Sequence, residues 1–170
     1  MGGRRREKGS VLVVVLVFTA VFSALAVGYL AAANSDLCRA RLYVESRRSH
    51  LAAETGLGVI REALPRISLR GAVTPEDQLR AVAVGLNARY RDTLFGGHPA
   101  TLDDGESMVM IPPVRLNMPE GLASVSLLVQ AGADGVFSVH SIGAAGECAQ
   151  TVGLSFCVEE DSALLALFGV

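Results

Sequence analysis

No tryptophan occurs in this chain of 170 residues, and aromatic side chains of every kind make up only 5% of it. So few flat rings leave no platform on which successive nucleic-acid bases could stack. The charge distribution argues the same way. Residues 36–92 hold ten arginines against seven acids, a net charge of +3, whereas residues 93–170 hold one arginine against nine acids, a net charge of −8. An acidic second half repels phosphate, so nucleic acid is not an expected partner, and the acids read as a solvated face.

Catalytic and metal-binding patterns are missing as well. Three cysteines, Cys38, Cys148 and Cys157, cannot all pair within one chain. Cys148 and Cys157 flank one strand-like segment, and full extension at ~3.3 Å per residue holds them about 30 Å apart, far beyond the ~7 Å between Cα atoms that a disulfide spans. Unpaired thiols are the expectation. His50, His98 and His140 have no metal-ligand spacing with one another or with the cysteines. His140 falls in an alternating stretch and reads as a solvent-face residue of a strand. Gly96-Gly97 reads as a helix stop, since no phosphate-cradling loop or nucleophile elbow surrounds it. The chain is therefore not expected to be an enzyme. Asp103-Asp104-Gly105-Glu106 is the one candidate ion site. Hard carboxylate oxygens of Asp103, Asp104 and Glu106 on a turn suit Ca²⁺, but the spacing is not that of an EF-hand loop. A solvated acidic turn is the plainer reading, so no cofactor is expected unless calcium binds there.

Charge itself is absent from Ser10 to Ala33. About 20 apolar residues at 1.5 Å rise cross the roughly 30 Å hydrocarbon core of a bilayer. A charged group at the middle of a bilayer costs at least ~2.5 kcal/mol, so an uncharged run of this length signals a membrane segment and lipid contact. The basic residues Arg4, Arg5, Arg6 and Lys8 precede it and argue that the N-terminus stays in the cytoplasm. Three readings of this join compete. The first is a short basic leader cut between Gly9 and Ser10, which leaves the apolar run in the mature protein. The second is a secretory signal peptide cut after Ala31-Ala32-Ala33, and the third is an uncleaved anchor. The run is long for a signal-peptide core, and Gly9 between the last basic residue and the run favours the first.

Beyond the run, residues 34–64 contain no proline and only two glycines, Gly56 and Gly58. Leu37, Val44 and Leu51 recur every seven residues, and Leu57, Ile60, Leu64 and Ile67 every three or four, which predicts an amphipathic continuation of one helix from Ser10 to about Leu64. Asp36, Arg39, Arg41, Glu45, Arg47, Arg48 and Glu62 fall on other faces. Pro65 stands where that helix should end.

Gly9-Ser10, the apolar run and Arg47-Arg48-Ser49-His50-Leu51-Ala52-Ala53-Glu54-Thr55-Gly56-Leu57 together resemble type IV pilin-like proteins of the PilX and K-type minor pseudopilin group. The likeness is specific over residues 4–64 and architectural beyond them. In that group an Ala-Ala-Glu followed by a small and an apolar residue is frequent on the first helix. Major pilins carry a glutamate four residues after the new N-terminus, where this chain has Val14. The minor group commonly shares that departure, which argues against a bulk filament subunit. Some related pseudopilins bind calcium in their heads. For Glu54 the resemblance implies a subunit contact in a filament; the plainer reading is a solvated residue paired with Arg47, Arg48, Arg61 or another nearby charge.

The rest reads as one small head. Thr74-Pro75-Glu76-Asp77 signals a helix start, with a capping hydroxyl, proline at the first position and acids at the positive end of the dipole. Leu79, Val82, Leu86, Tyr90 and Leu94 then extend a helix of about 20 residues at helical spacing. From Ser107 the period changes to two. Ser107–Ile111 predicts a short edge strand ended by Pro112-Pro113. Residues 123–130, 136–142 and 151–158 predict three strands joined by the glycine turns 131–135 and 143–146. Residues 163–168 read as a closing strand or helix. Ser141-Ile142-Gly143 is also similar to the family.

The expected fold class is α+β, with a long N-terminal helix, half membrane and half amphipathic, on an antiparallel meander with one extra helix. The expected organisation is a leader at 1–9, a membrane half at 10–33, an amphipathic half at 34–67 and a pilin-like head at 68–170. The resemblance implies a minor pilin or pseudopilin that primes or tips a type IV pilus or type II secretion pseudopilus. Its partners would be a prepilin peptidase, other subunits and membrane lipid. Its place would be a bacterial inner membrane, single-pass, with a cytoplasmic N-terminus and a periplasmic head. The rival expectation is an anchored envelope protein whose small domain binds a ligand or partner without any filament.

Overall fold

Helix α1 runs from Arg4 to Ala63 without a break. Nothing in its sequence interrupts the backbone ladder until Pro65, whose ring lacks the N–H and collides with the carbonyl one turn back. There the chain tightens into one 3-10 turn, Leu64–Arg66, which closes with the Ile67 N–H on the Leu64 carbonyl at 3.1 Å. The computed structural model describes residues 4–90, 99–102, 107–119, 121–132, 136–158 and 164–167. It divides into two compact units, Met1–Tyr43 and Val44–Val170.

In the first unit the described residues are helical throughout, and the large apolar side chains point outward, from Val11 at 62% exposed to Leu30 at 70%. The Thr19 hydroxyl donates to the Val15 carbonyl at 2.8 Å, so even this polar group is satisfied inside the helix.

The second unit is α+β. After the end of α1 comes helix α2, Pro75–Tyr90, then strands β1 (Thr101–Leu102), β2 (Met108–Met118), β3 (Gly121–Ala131), β4 (Val136–Ala145), β5 (Cys148–Val158) and β6 (Leu164–Leu167). The strands lie in sequence order in one sheet, each antiparallel to the next. The start of α2 is built as its sequence predicts. The Thr74 hydroxyl accepts the Asp77 N–H at 3.1 Å and donates to the Asp77 carboxylate at 2.7 Å, while Pro75 takes the first helical position.

Two boundaries differ from expectation. Pro112-Pro113 does not end β2. The register skips both prolines between Ile111 and Val114, and pairing to β3 then resumes to Met118. An irregular strand near the sheet edge tolerates residues that cannot donate to a ladder. Gly143 is not in a turn either: β4 continues to Ala145, and only Gly146 and Glu147 separate it from β5. Gly146 has φ +57°, the left-handed conformation that such a short hairpin loop demands. The C-terminal apolar segment is a strand. Leu94 and His98, at the expected end of α2, lie outside the described residues.

The core sits between the sheet and the helices. Alternation turns Val125, Leu127 and Val129 of β3 and Phe137 and Val139 of β4 inward, as period two predicts. Ile60 and Leu64 cover them beside Leu79, Val82 and Leu86 of α2. Asn87 ties α2 to β1 by a reciprocal pair, giving its amide to the Ala100 carbonyl at 2.9 Å and accepting the Ala100 N–H at 2.7 Å. The Tyr90 hydroxyl donates to the Val59 carbonyl at 3.2 Å and joins α2 to α1.

Leu127 is fully enclosed, so Leu127→Ala should cost ~2–5 kcal/mol of unfolding free energy. Thr74→Ala, which loses only a cap, should cost about 1 kcal/mol. Denaturant titration of the detergent-solubilised chain distinguishes the two; equal losses would refute this account of the core.

Candidate functional site

The residues singled out in the sequence lie along α1. Gly9 and Ser10 fall within its first turns, as do Arg4, Arg5, Arg6 and Lys8, and the helix passes through the join without a break. Val14 stands 50% exposed one turn into the apolar run, where its branched side chain offers no acceptor to any neighbour. Phe18 and Phe22 stack on the same face with ring centroids 6.3 Å apart. This helix is long and apolar enough to cross a membrane, with a mean hydropathy of 2.8 over an 18-residue stretch.

Within the second unit, α1 presents to the sheet a face different from the one expected. Of the expected stripe Ile60, Leu64 and Ile67 are buried, but the seven-residue set of Leu37, Val44 and Leu51 is 70%, 37% and 40% exposed, Leu37 lying in the first unit. The buried positions are Glu45, Ser49, Ala52, Ala53, Gly56 and Ile60, which recur along one face at helical spacing. Small size explains the exchange. A Cβ added at Gly143 would land on the Ser49 carbonyl oxygen and crowd Ala53 N, and one added at Gly56 would meet Ser141 Oγ and a Val125 methyl. Helix and sheet touch almost backbone to backbone there, which leaves no room for leucine.

This seam joins two stretches quoted for the family resemblance. Ala52, Ala53 and Gly56 face the sheet, and Ser141 and Gly143 of β4 receive them. Glu54, between them in sequence, points away with its side chain 54% exposed. Its Oε1 lies 3.3 Å from His50 Nε2 on the same helix, a neighbouring charge when that imidazole is protonated. The Thr55 hydroxyl turns back to the Leu51 carbonyl at 2.7 Å.

Glu45 corrects a further expectation. Its place on a polar face predicts solvent, but it is 8% exposed. One carboxylate oxygen accepts the Glu147 N–H at 3.3 Å, and the group lies against Gly146, so α1 closes the β4–β5 hairpin. Three residues on, the Arg48 guanidinium lies against Gly121, whose φ is +129°, at the β2–β3 connection. Both connections lie at the same end of the meander. Spacing alone cannot reveal this pair, because a charged residue beside exposed charges carries no mark of burial.

Other candidates are not brought together. Asp103, Asp104 and Glu106 lie outside the described residues, as do residues 159–163. Cys38, Cys148 and Cys157 form no disulfide among the described residues, and Cys148 and Cys157 open and nearly close β5. His140 lies opposite Gly153 in the β4–β5 register, half-buried on the face turned away from the helices. Among the described residues no group of three His, Cys, Asp or Glu side chains is placed to hold a metal ion. Comparison with protein-family models, with curated proteins and with solved structures finds no match to this chain.

The seam predicts two contrasting variants. Gly143→Ala should cost about 1–3 kcal/mol by forcing helix and sheet apart. Glu54→Gln should stay within about 0.5 kcal/mol of the parent, because an exposed pair on one helix contributes little. Chemical unfolding of both proteins checks this; a tolerated Gly143→Ala would refute the close contact.

Proposed function

We propose that this chain is a minor pilin or pseudopilin subunit, acting in the priming or at the tip of a type IV pilus or a type II secretion pseudopilus. The observation that carries the reading is α1, whose charge-free stretch from Ser10 to Ala33, with outward-facing apolar side chains, continues into a segment docked on an antiparallel sheet. Such a helix suits lipid before assembly and neighbouring helices after it. The basic leader stays on the cytoplasmic side of a bacterial inner membrane, and the head lies in the periplasm. A prepilin peptidase cuts after Gly9, leaving Ser10 as the new N-terminus. The role is mechanical, and no residue of this chain performs catalysis in it.

Val14 bears on the position in the filament. A carboxylate there would hold a neighbour's N-terminal amine, whereas a valine has no acceptor. A subunit without that acceptor suits the tip, where no preceding subunit has to be received. The exposed Glu54 lies on the face available to lateral neighbours.

The test is the mass and N-terminal sequence of the membrane-extracted protein, made with and without a prepilin peptidase. The expected result is a peptidase-dependent start at Ser10. A start at Met1 or Asn34 would overturn the proposal and leave an anchored or secreted binding domain. A Val14→Glu variant that functions at every filament position would overturn the tip assignment alone.

A further inference from the structure

We infer that α1 from Glu45 to Gly56 is a separable strap, which lifts from the sheet while the rest of the Val44–Val170 unit stays folded. This does not depend on the pilin reading.

The apolar packing is divided in two. Under the strap lies a small cluster of Ala52, Ala123 and Ala145, distinct from the main core that holds Ile60, Leu64 and the α2 side chains. Its alanine methyls, with the partly buried Leu116 and Met118 beside them and the buried Ala53 on the helix, remove less apolar surface from water than the large side chains of the main core, and hydrophobic stabilisation scales with that surface. The other buried residues on the strap and opposite it include the polar Glu45, Ser49 and Ser141. Ser141 is fully enclosed, and its hydroxyl has no hydrogen-bond partner among the described residues. An unmade buried hydrogen bond penalises the docked state and is relieved when water enters.

A hinge and an anchor lie where such a motion needs them. Gly56 and Gly58 stand two residues apart inside a helix, and glycine is among the poorest helix formers. Gly56 is required by its contact with Ser141, but a Cβ at Gly58 would meet nothing within 4 Å. Packing therefore gives no reason for glycine at 58, whereas local backbone freedom does. Just beyond, the Tyr90 hydroxyl holds the Val59 carbonyl, and Ile60 is sealed in the main core. The helix is fixed from Val59 onward and weakly held before Gly56. Release exposes the small-residue face of the helix together with the Gly143 patch on the sheet.

The test is thiol labelling of the full chain in detergent, with Cys38, Cys148 and Cys157 replaced by serine. One reporter, Ala123→Cys, sits under the strap, and another, Val129→Cys, sits under the main core. Ala145→Cys provides a second strap reporter should one substitution disturb folding. Strap thiols should label at least about ten-fold faster than Val129→Cys, at a rate indifferent to low urea, as local opening requires. Gly58→Ala should slow that labelling by stiffening the hinge, and Gly143→Ala should speed it while Val129→Cys stays protected. Equal rates with the same urea dependence at all three reporters would overturn the inference, as would a Gly58→Ala change that leaves strap labelling unaltered.

Discussion

Close approach between one helix and one strand governs the second unit. At Gly143 the strand meets the Ser49 carbonyl and the Ala53 amide with no side chain between them. Once that contact is made, the rotation of α1 about its own axis is fixed. Ala52 and Gly56 must face the sheet, Glu45 must fall over the Gly146 loop, and Glu54 must turn out beside His50. Contacts of this kind tolerate little adjustment, because a backbone atom cannot rotate aside as a side chain can. Chemistry and orientation on the helix follow from two missing Cβ atoms.

Much of this architecture is legible in the sequence, for identifiable reasons. The strands announce themselves because a sheet with one covered face enforces strict alternation, and Val125, Leu127 and Val129 obey it. The start of α2 is legible because Thr74, Pro75 and Asp77 answer the unpaired N–H groups of a first turn. The face of α1 is not. Periodicity gives weight to Leu37, Val44 and Leu51 because they are large and apolar, but the sheet selects for fit and takes Ser49, Ala52 and Gly56 instead. Pro112-Pro113 misleads for a related reason: a local rule about donors yields to a strand whose register simply passes over them. Of the candidate site, the position of Glu54 on an exposed face was open to inference, and the burial of Glu45 was not.

The two units divide physical labour. In the first, large side chains from Val11 to Leu30 stand at half exposure or more, so the helix does not stabilise itself in water through that surface. Its apolar area is of a length and composition that could cross a membrane. In the second, Phe137, Phe156 and Ile60 are sealed within the chain's own fold. Folding of the head and partnering of the apolar helix are thus separable, and a substitution can affect one while sparing the other.

The prolines of β2 carry a consequence for association. Among the described residues, strand β1 covers Val109 and Met110 alone on that side of β2, and the following residues have β3 as their ladder partner. A flat open edge would invite another chain to extend the sheet, and crowding many copies in one membrane would raise that hazard. Two adjacent residues without N–H groups, set in a break of register, spoil that edge as a template. Were copies of the chain to meet at this margin, backbone zippering there would be disfavoured.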